Sequence, residues 1–82
     1  MEVKVLLFAR LREVFRQDEV IIDIERGSRA SDLLARLVSL KPELKPLAAK
    51  LNVAVNQDVV SGDYTLADSA AEIAVFPPVG GG

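Results

Sequence analysis

The sequence has 82 residues, enough for one compact domain, and half of them are apolar, which places the chain outside the disordered class. Ten basic and twelve acidic residues are interspersed and give a net charge of −2, which argues against nucleic-acid binding. There is no cysteine and no histidine, so disulfides, thiolate nucleophiles and zinc ribbons are excluded and the commonest general base is missing. We therefore expect no metal site. No apolar stretch approaches the roughly 18 residues of a membrane span and no signal peptide precedes the first strand, so we expect a cytoplasmic protein without membrane contact.

The first 25 residues predict two strands joined by a short helical turn. Residues 2–9 and 19–25 alternate between apolar and polar side chains, as strands with one buried face do. Between them, apolar side chains at 11, 14 and 15 have the spacing of a helical turn. The inward set of the two strands is Val3, Val5, Leu7, Val20, Ile22 and Ile24.

One amphipathic helix follows. Ser28 is the predicted N-cap, and Asp32 falls in the first turn, where a carboxylate is favourable. Lys41-Pro42 is expected to end the helix, because the residue before a proline resists the helical conformation. Residues 43–49 predict one further turn, broken at Pro46. The apolar stripe of the helix consists of Ala30, Leu33, Leu34, Leu37 and Val38.

The rest of the chain predicts more extended segments, at residues 51–55, 59–60 and 72–76. Pro77-Pro78 stops the last of these, because proline cannot donate to a strand ladder. The order of elements predicts an α+β roll, with one main helix packed on one face of a mixed sheet. We assign residues 1–78 to this domain and residues 79–82 to a flexible glycine tail.

Strand parity also predicts an unusual outer face. The side chains opposite the helix should be polar, yet many of them are apolar: Leu6, Phe8, Ile21, Ala54, Ala74 and Phe76. An apolar patch of this kind usually marks a binding surface, and aromatic anchors are typical of interfaces. The alternative is that the Phe8 ring folds over an edge of the core. The basic residues of the segments around 10–16 and 41–50 are interpreted as a solvated face.

The C-terminus ends in Val79 and three glycines. Extended, these four residues reach roughly 13 Å, and without β-carbons the glycines could enter a slot too narrow for side chains. The terminal carboxylate of Gly82 could act as an acyl donor after activation by another enzyme, typically as a mixed anhydride with a nucleotide. The alternative is a frayed end or a cloning remnant.

Three segments resemble the small subunit of molybdopterin synthase, a ubiquitin-like β-grasp family of sulfur carriers. They are KVLLFA at 4–9 followed by Arg12-Glu13, VAVNQ at 53–57, and VFPPVGGG at 75–82. The resemblance covers the whole chain, and the last segment is highly specific. Two departures are Gly80, where the family more often has Ser, Thr or Ala, and the loop 68–72, where the family often has an Asp-Gly-Asp-Glu turn.

The resemblance implies a function for the tail. An E1-like adenylyltransferase would use ATP to adenylate Gly82, and a sulfur donor would convert the adenylate to a thiocarboxylate. The carrier would bind no cofactor itself. It would insert Val79, Gly80 and Gly81 into the large synthase subunit, which holds the catalytic side chains and transfers sulfur to cyclic pyranopterin monophosphate, within a heterotetramer of two small and two large subunits. The partner-binding residues implied are Phe8, Val59, Phe76, Pro77 and Pro78.

Other functions stay open from the sequence. A sulfur carrier of the thiamine pathway shares the fold and the diglycine, but it is usually shorter and lacks the FPPV ending. A ubiquitin-like modifier would join the same terminus to protein lysines. A third possibility is an interaction domain whose glycines are incidental.

Overall fold

The computed structural model of the protein describes residues 1–78. Its helices and strands are β1 (Glu2–Leu7), α1 (Arg10–Phe15), β2 (Glu19–Asp23), α2 (Ala30–Leu40), a 3₁₀-helix (Pro42–Lys50), β3 (Asn52–Val55), β4 (Asp58–Val60) and β5 (Ile73–Phe76). The five strands form one sheet in the order β2-β1-β5-β3-β4. The central pair, β1 and β5, is parallel and the other pairs are antiparallel, so the predicted mixed sheet is confirmed. None of the helices in residues 1–78 has the length and apolar character of a membrane-spanning segment.

The core lies between the sheet and α2, as the alternation of β1 predicted. Val3, Val5 and Leu7 are almost completely buried, and so are Leu33 and Leu37 on the inward side of α2. Leaving these side chains in water would cost about 1.5–3 kcal/mol each, which is why the strand pairs and the helix close on one another. The predicted helical turn after β1 is also present, as α1, with Leu11 buried in the core.

The start of α2 differs from the prediction. Its N-cap is Arg29, not Ser28, because the Ser28 carbonyl accepts a hydrogen bond from Leu66 N–H at 2.7 Å and is held outside the helix. Arg29 is extended, and its N–H donates to the Asp32 carboxylate at 2.8 Å. The first N–H groups of the helix, which have no partner inside it, donate to carbonyl groups of the loop 61–65. The helix start is therefore fixed by a distant loop.

The segment after α2 is also more regular than predicted. α2 ends at Leu40, ahead of Pro42, as expected, but Pro46 does not break the next turn. The nine residues Pro42–Lys50 form a 3₁₀-helix with Pro46 inside it. The fixed φ of proline, about −65°, lies within the range that 3₁₀ turns use, so this conformation tolerates the residue. Leu51 is buried but follows this helix, so the third strand begins at Asn52.

Three other strands are shorter than predicted, by two residues at the ends of β1 and β2 and by one at the start of β5, whereas β4 begins one residue earlier than predicted. β3 and β4 are joined by the two-residue turn Asn56-Gln57, in which φ is 50° and 74°, as a type I′ hairpin requires. The loop that departs from the family pattern forms a turn at Asp68, whose carboxylate accepts the N–H of Ala70 at 2.9 Å. The Asn56 side chain then accepts the N–H of Glu72 at 3.0 Å and fixes the start of β5.

Candidate functional site

An apolar row crosses the face of the sheet that α2 does not cover. Leu6 of β1 lies opposite Ala74 of β5, Ala74 lies opposite Ala54 of β3, and Ala54 lies opposite Val59 of β4. Directly opposed residues point to the same face of a sheet, so these four side chains form one row over four strands. Val59 is 65% exposed, whereas Ala54 is nearly buried within the row.

Two phenylalanines extend this surface at one end of the sheet. Leu7 of β1 pairs with Val75 of β5 in the parallel ladder. Phe8 directly follows Leu7, and Phe76 directly follows Val75. Phe8 is 45% exposed and Phe76 is half-buried. The surface formed by Leu6, Phe8, Ala54, Val59, Ala74 and Phe76 is called the outer apolar face below. By strand parity, Phe8, Val59 and Phe76, which the resemblance implied as partner-binding residues, lie on the same face of the sheet.

The chain leaves the sheet beside this surface. β5 runs parallel to β1, so Phe76 and the two prolines that follow it lie at the same end as Phe8. Pro77 is half-buried and Pro78 is exposed. Neither proline has an N–H, so the ladder cannot continue, and their fixed φ makes a stiff exit from the sheet. The predicted tail residues, Val79, Gly80, Gly81 and Gly82, lie outside the described residues.

The charged and polar side chains of residues 1–78 lie at the surface. No charged or polar side chain in this part of the chain is buried, and no three carboxylates in it converge on a possible metal position. The sequence contains no histidine or cysteine that could serve as base or nucleophile. What the described residues present is a partly exposed apolar surface next to the exit of the chain.

One feature at the end of the sheet where the chain leaves was not predicted from the sequence. Arg10, Arg16 and Lys41, which were interpreted as solvated positions of two separate segments, line one cavity of about 410 Å³ between α1 and the start of the 3₁₀-helix. Lys41 is 25 positions beyond Arg16, so nothing in the local pattern could have placed them together. Only the packing of α1 against the 3₁₀-helix does so.

Comparison with known proteins gives the family. A sequence profile of the ThiS family matches residues 5–82. The molybdopterin synthase sulfur carrier subunit of Dictyostelium discoideum is 36% identical over 81 residues, which are 96% of this chain and 94% of the relative. The protein of the same name from Escherichia coli is 39% identical over 83 residues and covers 98% of this chain and 99% of its own.

Comparison with solved structures supports the fold. Two crystal structures of small archaeal modifier protein 1 from Haloferax volcanii superpose with a TM-score of 0.80 at 29% identity; one covers 100% of both chains, and the other covers 95% of this chain and 98% of its own. The β-grasp, ubiquitin-like fold that the resemblance implied is thereby confirmed. The chain belongs to the ThiS family and, within it, to the molybdopterin synthase sulfur carrier subunits.

Proposed function

We propose that this protein is the sulfur carrier subunit of a molybdopterin synthase and that Gly82 carries the sulfur as a C-terminal thiocarboxylate. The observation that carries the proposal is the position of the chain exit. β5 ends at Phe76, at the edge of the outer apolar face, and the chain continues into a segment that ends in three glycines. A large subunit that covers this face would receive the tail at the same time.

The terminal carboxylate needs activation. With a reference pKa of roughly 3.5 it is ionised at neutral pH and is a poor electrophile. An E1-like adenylyltransferase would join a carboxylate oxygen to the α-phosphate of ATP and release pyrophosphate. A sulfur donor would then displace AMP and leave the thiocarboxylate. ATP is consumed in that step, so the carrier needs no bound cofactor.

The transfer would take place in the large subunit. Val79, Gly80 and Gly81 enter its active site, where glycine residues need no room for a β-carbon. The thiocarboxylate sulfur bonds to a side-chain carbon of cyclic pyranopterin monophosphate as a C–O bond at that carbon breaks and the oxygen leaves. Water then hydrolyses the acyl–sulfur bond, which leaves the sulfur on the pterin and restores the carboxylate of Gly82. A second charged carrier supplies the second sulfur of the dithiolene, within a heterotetramer of two carriers and two large subunits. The acid–base groups come from the large subunit, since the carrier has no histidine or cysteine.

The test is to remove the carboxylate without shortening the tail. A chain with Gly82 as a C-terminal amide, made by peptide ligation, is compared with the unmodified chain made by the same ligation. We expect the amide to lose adenylation and sulfur transfer in a reconstituted synthase and to unfold at the same temperature. Sulfur transfer by the amide would refute the proposal. Deleting Gly82 instead tests whether the tail needs its full length, because the shortened chain still ends in two glycines but is about 3.5 Å shorter.

A second function is favoured by the similarity to the archaeal modifier protein over its whole length. In that function the activated acyl group of Gly82 would be joined to a lysine amino group, with AMP displaced and an isopeptide bond formed. A lysine-linked adduct in cells would identify this activity, whereas a thiocarboxylate identifies the carrier. A thiamine-pathway carrier would also hold a thiocarboxylate, but it would not bind the large synthase subunit.

A further inference from the structure

The cavity between α1 and the 3₁₀-helix has a mixed but predominantly cationic lining. Arg10, Arg16 and Lys41 contribute positive charges, and Glu13 and Glu43 contribute negative ones. The lining therefore has an excess of one positive charge, although the whole chain has a net charge of −2. This sign is what an acidic ligand or partner requires.

Among residues 1–78, Arg16 and Lys41 are the cations of this cavity that have no carboxylate partner. Arg10 lies 3.8 Å from Glu13, measured between Nη1 and Oε2. Within residues 1–78 no carboxylate oxygen lies within 4.0 Å of the Arg16 guanidinium or of Lys41 Nζ. Lys41 is half-buried, and its Nζ lies 5.9 Å from the centre of the Phe15 ring, at the outer limit of a cation–π contact. The ring limits the positions that this ammonium group can take.

The backbone of Arg16 supports a role for its side chain. The residue directly follows α1 in the left-handed conformation, with φ 58° and ψ 34°, a position at which glycine is the usual residue. A residue with a β-carbon is strained there. The chain therefore has an arginine at a position where glycine would satisfy the backbone better.

The cavity lies at the end of the molecule where the tail leaves. α1 begins two residues after Phe8, and Leu11 N–H donates to the Phe8 carbonyl at 3.2 Å. α1 also contacts β5, which leads into Pro77 and the tail. Asp18 and Glu19 lie at the same end, but Asp18 is paired with Arg12 at 3.5 Å and Glu19 with Lys4 at 3.8 Å. The cavity cations that have no carboxylate within 4.0 Å among residues 1–78 therefore lie at the end of the sheet where the tail leaves.

We propose that this cavity docks an acidic segment of the large synthase subunit, whose carboxylates pair with Arg16 and Lys41 and steer the tail toward its slot. This inference rests on the proposed function, because it requires an enzyme that receives the tail. The contact is continuous with the outer apolar face through Phe8 and Arg10. Charge complementarity of this kind acts mainly on the rate of association, and it weakens as salt screens it.

The test compares two double variants with the same change in charge. Arg16→Gln/Lys41→Gln removes the two cations of the cavity. Arg26→Gln/Arg36→Gln, the control, removes two exposed cations elsewhere that also lack a carboxylate within 4.0 Å among residues 1–78. The association rate constant with the large subunit is measured by stopped-flow fluorescence at low and high salt.

We expect the cavity variant to associate about fivefold more slowly at about 0.1 M salt and at the wild-type rate at about 1 M, where the Debye length is about 3 Å. The control should change by less than about twofold. Equal slowing of both variants, or none in the cavity variant, would overturn the inference and leave the proposed function standing if the wild type still binds and transfers sulfur. If the wild type failed to bind the large subunit, both the inference and the proposed function would be refuted.

A single variant separates docking from a structural role. Arg16→Gly relieves the left-handed backbone and removes the side chain, so its thermal unfolding midpoint should not fall below that of the wild type, while its association rate constant should fall about two- to threefold at low salt. A lowered midpoint with an unchanged rate would show that Arg16 serves the fold. Chemical-shift changes at Arg16 and Lys41 on addition of ATP to the isolated carrier would assign the cavity to a nucleotide phosphate and overturn the inference.

Discussion

Replacement of Phe8 by alanine should weaken the complex with the large synthase subunit about thirtyfold. Phe8 is 45% exposed in the free protein. A phenylalanine side chain has roughly 200 Å² of surface, so a partner that covers the ring buries about 90 Å² more. At about 25 cal/mol per Å², that burial is worth about 2 kcal/mol, or about thirtyfold in Kd.

Tyr64→Ala is the matched control. Tyr64 is 43% exposed but lies in the loop that pairs with the start of α2, away from the outer apolar face. Because the two rings have nearly equal exposed fractions, the two variants should lose similar amounts of unfolding free energy in urea. Titration calorimetry with the large subunit should then show the loss of affinity for Phe8→Ala alone. Equal affinities for the two variants would refute the assignment of the docking surface.

Two further predictions concern the hairpin and the tail. Gln57→Gly should raise the free energy of unfolding by about 0.5–1 kcal/mol, because Gln57 has φ 74° in a turn position that favours glycine; a lower urea midpoint would contradict this. Gly81→Val should block ATP–pyrophosphate exchange by the E1-like enzyme without changing the unfolding midpoint, since a β-branched side chain widens and stiffens the tail. Gly80→Ser is its control, because the resemblance implies that a serine is tolerated there. Unchanged exchange in Gly81→Val would refute the narrow-slot argument.

Alternation along the strands was sufficient to predict the faces of the sheet. It placed Val3, Val5 and Leu7 in the core and Phe8 outside, because the side-chain period of a strand is two and is set locally. The outer position of Phe76 followed in the same way. The short β4 and the helical turn after β1 were also evident, since both have apolar residues at the required spacing.

The features that depend on distant contacts could not be predicted. Ser28 is a good N-cap by residue type, but its carbonyl is bonded to Leu66, so the helix begins one residue later than local preference suggests. Pro46 was predicted to break the turn because proline interrupts α-helices, whereas the segment is a 3₁₀-helix. The cavity of Arg16 and Lys41 exists because α1 packs against that helix, a tertiary contact with no local signal.

The central claim is that Gly82 carries sulfur, and intact-protein mass spectrometry tests it most directly. The carrier is incubated with ATP, the E1-like enzyme and a sulfur donor, and then separated and weighed, with the C-terminal amide as the blank. We predict a gain of about 16 Da, from the replacement of oxygen by sulfur, that fragmentation assigns to the C-terminal peptide and that the amide does not show. An unchanged mass while ATP is consumed, or a gain found only as a lysine-linked adduct, would contradict the account.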